Sequence, residues 1–107
     1  MKNLGQMMKQ AQAMQSRMEE MQARLGTLEV EGSAGGGMVR VTMSGKAEVK
    51  RVKIDRALAD PNEVEVLEDL VVAAIADAKG KAEALVAEEM AKVTSGLQLP
   101  PGLKLPF

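Results

Sequence analysis

An apolar spacing that holds from residue 4 to residue 28 and then changes period limits what this chain can fold into. Leu4, Met7, Ala11, Met14, Met18, Met21, Leu25 and Leu28 are separated by three and four residues in turn. That is the a/d pattern of a helix with one narrow apolar seam. Leu4, Ala11, Met18 and Leu25 take position a; Met7, Met14, Met21 and Leu28 take position d. Most residues between them (Gln, Lys, Arg, Glu and Ala) are good helix formers. A helix over residues 3–25 is expected, about 33 Å long at 1.5 Å per residue. Asn3 is placed to cap it and Gly26 to stop it, while Gly5 weakens the first turn. The methionines read as a packing seam, because the chain has no Cys or His to join them as soft metal ligands.

Over residues 27–55 the period falls to two. Leu28 and Val30 alternate with Glu29 and Glu31, until Gly32-Ser33-Ala34-Gly35-Gly36-Gly37 breaks the pattern. Val39, Val41 and Met43 then alternate with polar neighbours. Ser44-Gly45 signals a turn, and Val49, Val52 and Ile54 make a third short strand. Short connections between three strands predict an antiparallel meander. The parity slip between Val49 and Val52 predicts a bulge near Lys50–Arg51. One sheet face is then apolar, and the other carries Glu29, Glu31, Arg40, Thr42, Arg51 and Lys53.

A second long helix is expected over residues 61–95. Asp60-Pro61-Asn62-Glu63 supplies a cap, a proline at the first helical position and an early acid. Glu63, Glu65, Glu68 and Asp69 crowd the first turns, where the helix dipole favours negative charge. Leu67, Leu70, Val71, Ala74, Ala78, Ala82, Leu85 and Val93 trace one face. Gly80 inside the pattern marks a close crossing or a bend. Beyond Gly96, Pro100, Pro101 and Pro106 forbid regular structure and favour an extended chain. The expected organisation is one dimerising domain over 1–95 and a Pro-rich, mobile tail over 96–107.

Composition removes most chemistry. The 107 residues include no Cys, His, Trp or Tyr and one Phe. Disulfides, imidazole or thiolate metal sites and Ser–His–Asp triads are excluded. Base stacking on aromatic rings is nearly excluded too, which favours duplex over single-stranded nucleic acid as a partner. Gly35-Gly36-Gly37 lacks the Lys-Ser/Thr of a phosphate loop and reads as a hairpin connection. A carboxylate-bound metal at Glu68 and Asp69 would have no base, nucleophile or second ligand cluster beside it. No apolar run is long enough to span a membrane, and no signal-peptide core is present. A soluble cytoplasmic protein without catalysis, cofactor, metal or small-molecule substrate is expected.

The 14 basic and 15 acidic residues nearly cancel, but they are unevenly placed. Residues 1–26 carry four basic and two acidic side chains, whereas residues 61–107 carry four basic and eight acidic ones. Helix 1 is thus the basic element. Lys2 and Lys9 fall at position f and Arg17 and Arg24 at position g, all off the seam. A second cluster, Lys46, Lys50, Arg51, Lys53 and Arg56, surrounds the third strand. Lys79 and Lys81 form a third midway along the last helix.

Five stretches in order carry a family resemblance. They are Met8-Lys9-Gln10-Ala11-Gln12 with Met14-Gln15; Val39-Arg40-Val41-Thr42 with Gly45; Val52-Lys53-Ile54-Asp55; Leu67-Glu68-Asp69-Leu70-Val71-Val72-Ala73-Ala74; and Gly96-Leu97-Gln98-Leu99-Pro100-Pro101-Gly102. The chain resembles the YbaB/EbfC family of bacterial nucleoid-associated proteins, although Arg56 stands where that family commonly has proline. The resemblance implies an α+β, α-β-β-β-α subunit, a homodimer and double-stranded DNA as partner in the nucleoid. On charge placement, the DNA contacts are expected at Lys2, Lys9, Arg17, Arg24, Lys79 and Lys81. Lys46, Arg51 and Lys53 form a secondary set, because sheet-face cations have Glu29, Glu31 and Glu48 close by. The alternative is a protein-interaction module built on helix 1 and the Pro-rich tail, with no nucleic-acid role.

Overall fold

The structure, a computed structural model, describes residues 3–95; Lys2 and the Pro-rich segment 96–107 lie outside the described residues. Leu4–Thr27 form α1, Glu29–Ala34 β1, Val39–Ser44 β2, Val49–Ile54 β3 and Val64–Ser95 α2. The strands make one antiparallel sheet in the order β1-β2-β3. This is the expected α+β arrangement, with differences at the element ends. Asn3 is in the helical region and makes no side-chain cap; its carbonyl accepts the Met7 N–H at 2.9 Å. Gly26 does not stop α1. The helix continues to Thr27, and the Leu28 N–H and Thr27 hydroxyl both close on the Arg24 carbonyl, at 2.9 and 2.8 Å.

The glycine run also divides differently from its sequence reading. β1 passes straight through Gly32 to Ala34, and only Gly35, Gly36 and Gly37 turn, each with positive φ. Gly32 pairs with Val41 and lies against α2. A Cβ there would stand 2.5 Å from the Ala74 carbonyl oxygen and 2.6 Å from the Ala78 Cα, closer than real carbons approach. Ala74, Ala78 and Ala82, all fully buried, are the matching small residues of α2. Gly45 plays a similar part at the base of α1: its N–H bonds the Leu25 carbonyl at 2.9 Å, and a Cβ would meet that oxygen. Gly80, expected to mark a crossing or a bend, faces nothing within 4 Å, and α2 runs through it.

The inner face of the sheet explains the core. Val39, Val41 and Met43 are buried with Leu58 and the alanine stripe of α2. Arg56–Leu58 form a 3-10 turn in which Asp55 accepts the Ala57 N–H at 2.9 Å. That cap holds the turn without proline and puts Leu58 into the core. The bulge falls at Lys50: Thr42 pairs with Arg51 and Met43 with Val49, leaving Lys50 unpaired. Asp60 accepts the Asn62 N–H at 2.9 Å and opens the second helical segment with a 3-10 turn, Pro61–Glu63, before α2 proper. A second, smaller apolar cluster of Met21, Leu25 and Val93 fixes α1 on α2, with Met18, Leu85, Val86 and Met90 around it.

Two features leave the subunit open. The radius of gyration is 20.0 Å, against about 13 Å for a compact chain near this length. The N-terminal half of α1 projects, with Leu4, Met7 and Met8 58–63% exposed. The third strand is also uncovered. Val49, Val52 and Ile54 share the inner face with Met43, Val41 and Val39, yet they remain 49, 46 and 39% exposed.

The two sheet edges differ. On β1, the outward Ser33 N–H donates to Asp77 Oδ2 at 2.9 Å, and Lys81 Nζ donates to the Glu31 carbonyl at 2.9 Å. Lys81 and Asp77 pair with each other at 3.1 Å. Two α2 side chains therefore occupy backbone groups that another strand would need. The Ser33 N–H, and then Lys81, hold the Asp77 carboxyl below its ordinary value of 3.8. A depressed pKa adds stability above the ordinary value, and that contribution disappears as pH falls through the lowered one. The seal should thus persist at neutral pH and fail only in strong acid. Asp77→Ala with Lys81→Ala should leave the fold intact but give concentration-dependent association beyond the wild-type species. Sedimentation equilibrium reads this, and unchanged mass would show that the edge is not guarded by this pair.

Candidate nucleic-acid interface

The basic side chains separate into surfaces that the linear sequence does not show. Lys9 and Arg17 lie exposed on α1 and make no ion pair among the described residues. Eight residues apart, they are about 12 Å apart along the axis. Arg17 borders a hollow of about 340 Å³ at the α1–α2 crossing, with Glu20, Met21, Arg24, Glu89, Lys92 and Val93.

Arg24 is in a different situation. One of its guanidinium nitrogens, Nη2, donates to both oxygens of Glu89, at 2.5 and 3.1 Å. Lys92 Nζ approaches the same carboxylate at 3.4 Å. Glu89 is 3% exposed, whereas Arg24 remains 57% exposed. The heptad position leaves Arg24 off the apolar seam, but it is not free for phosphate alone; it neutralises a buried carboxylate and ties α1 to α2. Sequence reading missed both Glu89 and Lys92. The available signal was spacing: Glu89 lies between Leu85 and Val93 on the buried face of α2.

Removing one partner of a buried carboxylate costs more than removing both. Arg24→Ala should therefore destabilise the protein by about 1–3 kcal/mol. Arg24→Ala with Glu89→Leu should recover most of that loss, as measured by urea denaturation. Equal losses in the single and double variants would contradict this account of the crossing.

Lys79 and Lys81, two residues apart in sequence, project to opposite flanks of α2. Lys79 lines a hollow of about 370 Å³ with Lys46, Gln22, Leu25, Gly45, Ala47 and Glu83. Lys81 is engaged at the β1 edge. On the outer sheet face, Arg51 pairs with Glu29 at 3.1 Å, Arg40 with Glu31 at 3.8 Å and Lys50 with Glu48 at 3.9 Å. Lys53 sits opposite Arg40 across the β2–β3 ladder. These acids offset much of the charge of that face. Among the described residues, no group of three His, Cys, Asp or Glu side chains could hold a metal ion, and no helix is long and apolar enough to cross a membrane.

A helical arm with exposed cations on a small sheet-and-helix body is thus the most distinctive polar surface. The family model of the YbaB/EbfC DNA-binding family matches residues 1–97. The chain belongs to this family. Its similarity to relatives extends over the full length. It is 66% identical to a nucleoid-associated protein of Paramagnetospirillum magneticum and 63% identical to one of Granulibacter bethesdensis, each over 107 residues and all of both chains. Among solved structures, an uncharacterized protein from Helicobacter pylori superposes with a TM-score of 0.65 at 18% identity, covering 87% of this chain and 94% of that one. That likeness is one of fold alone.

Proposed function

We propose that this protein is a nucleoid-associated homodimer that binds double-stranded DNA without catalysis, mainly through phosphate contacts. The observation that carries the reading is the α1 arm. Its exposed cations, Lys9 and Arg17, stand off the apolar seam and have no acidic partner among the described residues. Lys2, outside those residues, continues the same spacing toward the N-terminus. Lys and Arg on such an arm neutralise phosphates and release counterions, giving affinity with little base selectivity. Arg24, Lys79 and Lys46 flank the arm's base and act as supporting contacts. Lys81 contributes least, being held at the sheet edge. Arg51 and Lys53 stay secondary, because Glu29 and Glu31 lie on their face. Membership of a DNA-binding family, and similarity to nucleoid-associated proteins, support DNA as partner and the cytoplasmic nucleoid as location.

The dimer reading rests on β3. Its edge is unpaired among the described residues, and its inner valines lie exposed beside the core, whereas the β1 edge is occupied by Asp77 and Lys81. A second copy is the partner that satisfies both the backbone edge and the apolar face. Pairing two copies also presents the α1 arm twice, which compensates for the modest charge of one chain.

A rival reading, in which α1 docks a protein and no nucleic acid, rests on the exposed Leu4, Met7 and Met8. Fluorescence anisotropy on a random-sequence duplex separates the two. Binding whose log affinity falls linearly with log salt supports phosphate contact. Absence of binding at low salt would overturn it.

A further inference from the structure

Glu89 is a buried charge that the DNA reading leaves unused. It lies between Leu85 and Val93 on the buried face of α2. Stability alone does not call for it, because apolar side chains often replace buried ion pairs at little or no cost. Its contacts show what it supplies. Arg24 Nη2 donates to both of its oxygens, and Lys92 Nζ stands 3.4 Å from Oε2. One carboxylate of α2 thus holds two cations, one from each helix, and both side chains remain more than half exposed. Arg24 uses Nη2 alone in these contacts, which leaves the Nη1 and Nε protons for another acceptor. Both cations line the hollow of about 340 Å³ at the α1–α2 crossing. Arg17 joins them from one heptad up α1, about 10 Å along the axis. Glu20 is the second acid there, so three cations face two acids and the hollow is net positive.

We propose that this hollow is a phosphate-binding site, in which Arg17, Arg24 and Lys92 hold the oxygens of one phosphate group and Glu89 is the positioning residue that fixes two of those cations. Charged donors make short, strong hydrogen bonds to phosphate. Long basic side chains lose rotamer freedom when they bind, and Arg24 and Lys92 have given up part of it beforehand on Glu89. The buried carboxylate is already matched by two cations, which stand between it and an incoming anion. The backbone of duplex DNA is the phosphate source that the DNA reading supplies, and the inference rests on that reading for the source alone.

Two acids in one hollow provide the test. Glu20→Gln and Glu89→Gln each remove one negative charge from it, so the field alone predicts tighter phosphate binding in both. Positioning predicts opposite signs. Inorganic phosphate is titrated into the full chain at constant ionic strength, and the Nε–H signals of Arg17 and Arg24 are followed by NMR. The wild type should saturate, Glu20→Gln should bind more tightly, and Glu89→Gln should bind about tenfold more weakly. Lys92→Gln leaves the Arg24–Glu89 tie in place and should also weaken binding, which keeps the test valid if Glu89→Gln loosens the fold. The same variants on a random-sequence duplex identify the source. Weaker duplex binding by Glu89→Gln assigns the site to backbone phosphate, whereas unchanged duplex binding assigns it to a free phosphate. A wild type that saturates with phosphate but binds no duplex would remove the DNA reading and leave this site standing. No saturation in the wild type, or tightening in both Gln variants, would overturn the proposal.

Discussion

Replacing Gly32 with valine should cost this protein most of its stability. Gly32 is a strand residue whose missing side chain lets α2 lie directly on β1. Even a Cβ would collide with backbone atoms of Ala74 and Ala78, which cannot rotate aside as a side chain could. Overpacking of an ordinary core costs about 1–3 kcal/mol; with backbone on the receiving side, the upper end or beyond is expected. At roughly 4–8 °C per kcal/mol for a domain of this size, melting should fall by more than about 10 °C. Alanine should already produce much of the effect. Gly36→Ala, where a Cβ meets nothing within 4 Å, should cost only the strain of its positive φ. Similar melting for the Gly32 and Gly36 variants would mean that α2 does not approach β1 as described.

Val52→Asp should convert the proposed dimer to folded monomers. Val52 lies mid-strand on β3, opposite Val41, and is 46% exposed in the subunit. A carboxylate there remains hydrated in a monomer, so the subunit should keep its helical circular dichroism. In a dimer the same charge would be buried against apolar surface without a partner, which costs several kcal/mol. Because both copies carry it, the penalty enters twice, and dissociation should be essentially complete at micromolar concentration. Sedimentation velocity checks this. An unchanged dimer would place the interface away from β3.

Much of this arrangement is legible in the chain. Periodicity reports which face of an element is buried, and it located α1, the meander, the Lys50 bulge and α2. It does not report how closely two elements approach. Gly32 reads as loop because Gly35-Gly36-Gly37, three residues on, is a turn. Only the alanines at positions 74 and 78, far along the chain, show that its hydrogen is needed. Gly80 invites the opposite error, since helical glycine alone does not distinguish a crossing from open solvent. Partners of charges are equally non-local. Arg24 meets Glu89 and Lys81 meets the β1 edge across 65 and 50 residues. Heptad position therefore identified which cations stand off the seam, but not which remain available to DNA.

The most direct measurement follows from that distinction. Lys9→Gln with Arg17→Gln removes two exposed α1 cations without touching the Arg24–Glu89 tie, so melting should be unchanged. If both contact phosphates in each subunit, four contacts are lost per dimer. The slope of log affinity against log salt should then shrink by about 3–4, at roughly 0.9 per contact. The loss should be alike on duplexes of different sequence, because phosphate contacts carry no base identity. A folded double variant that keeps the wild-type affinity and slope would contradict the account and remove α1 as the DNA-binding surface.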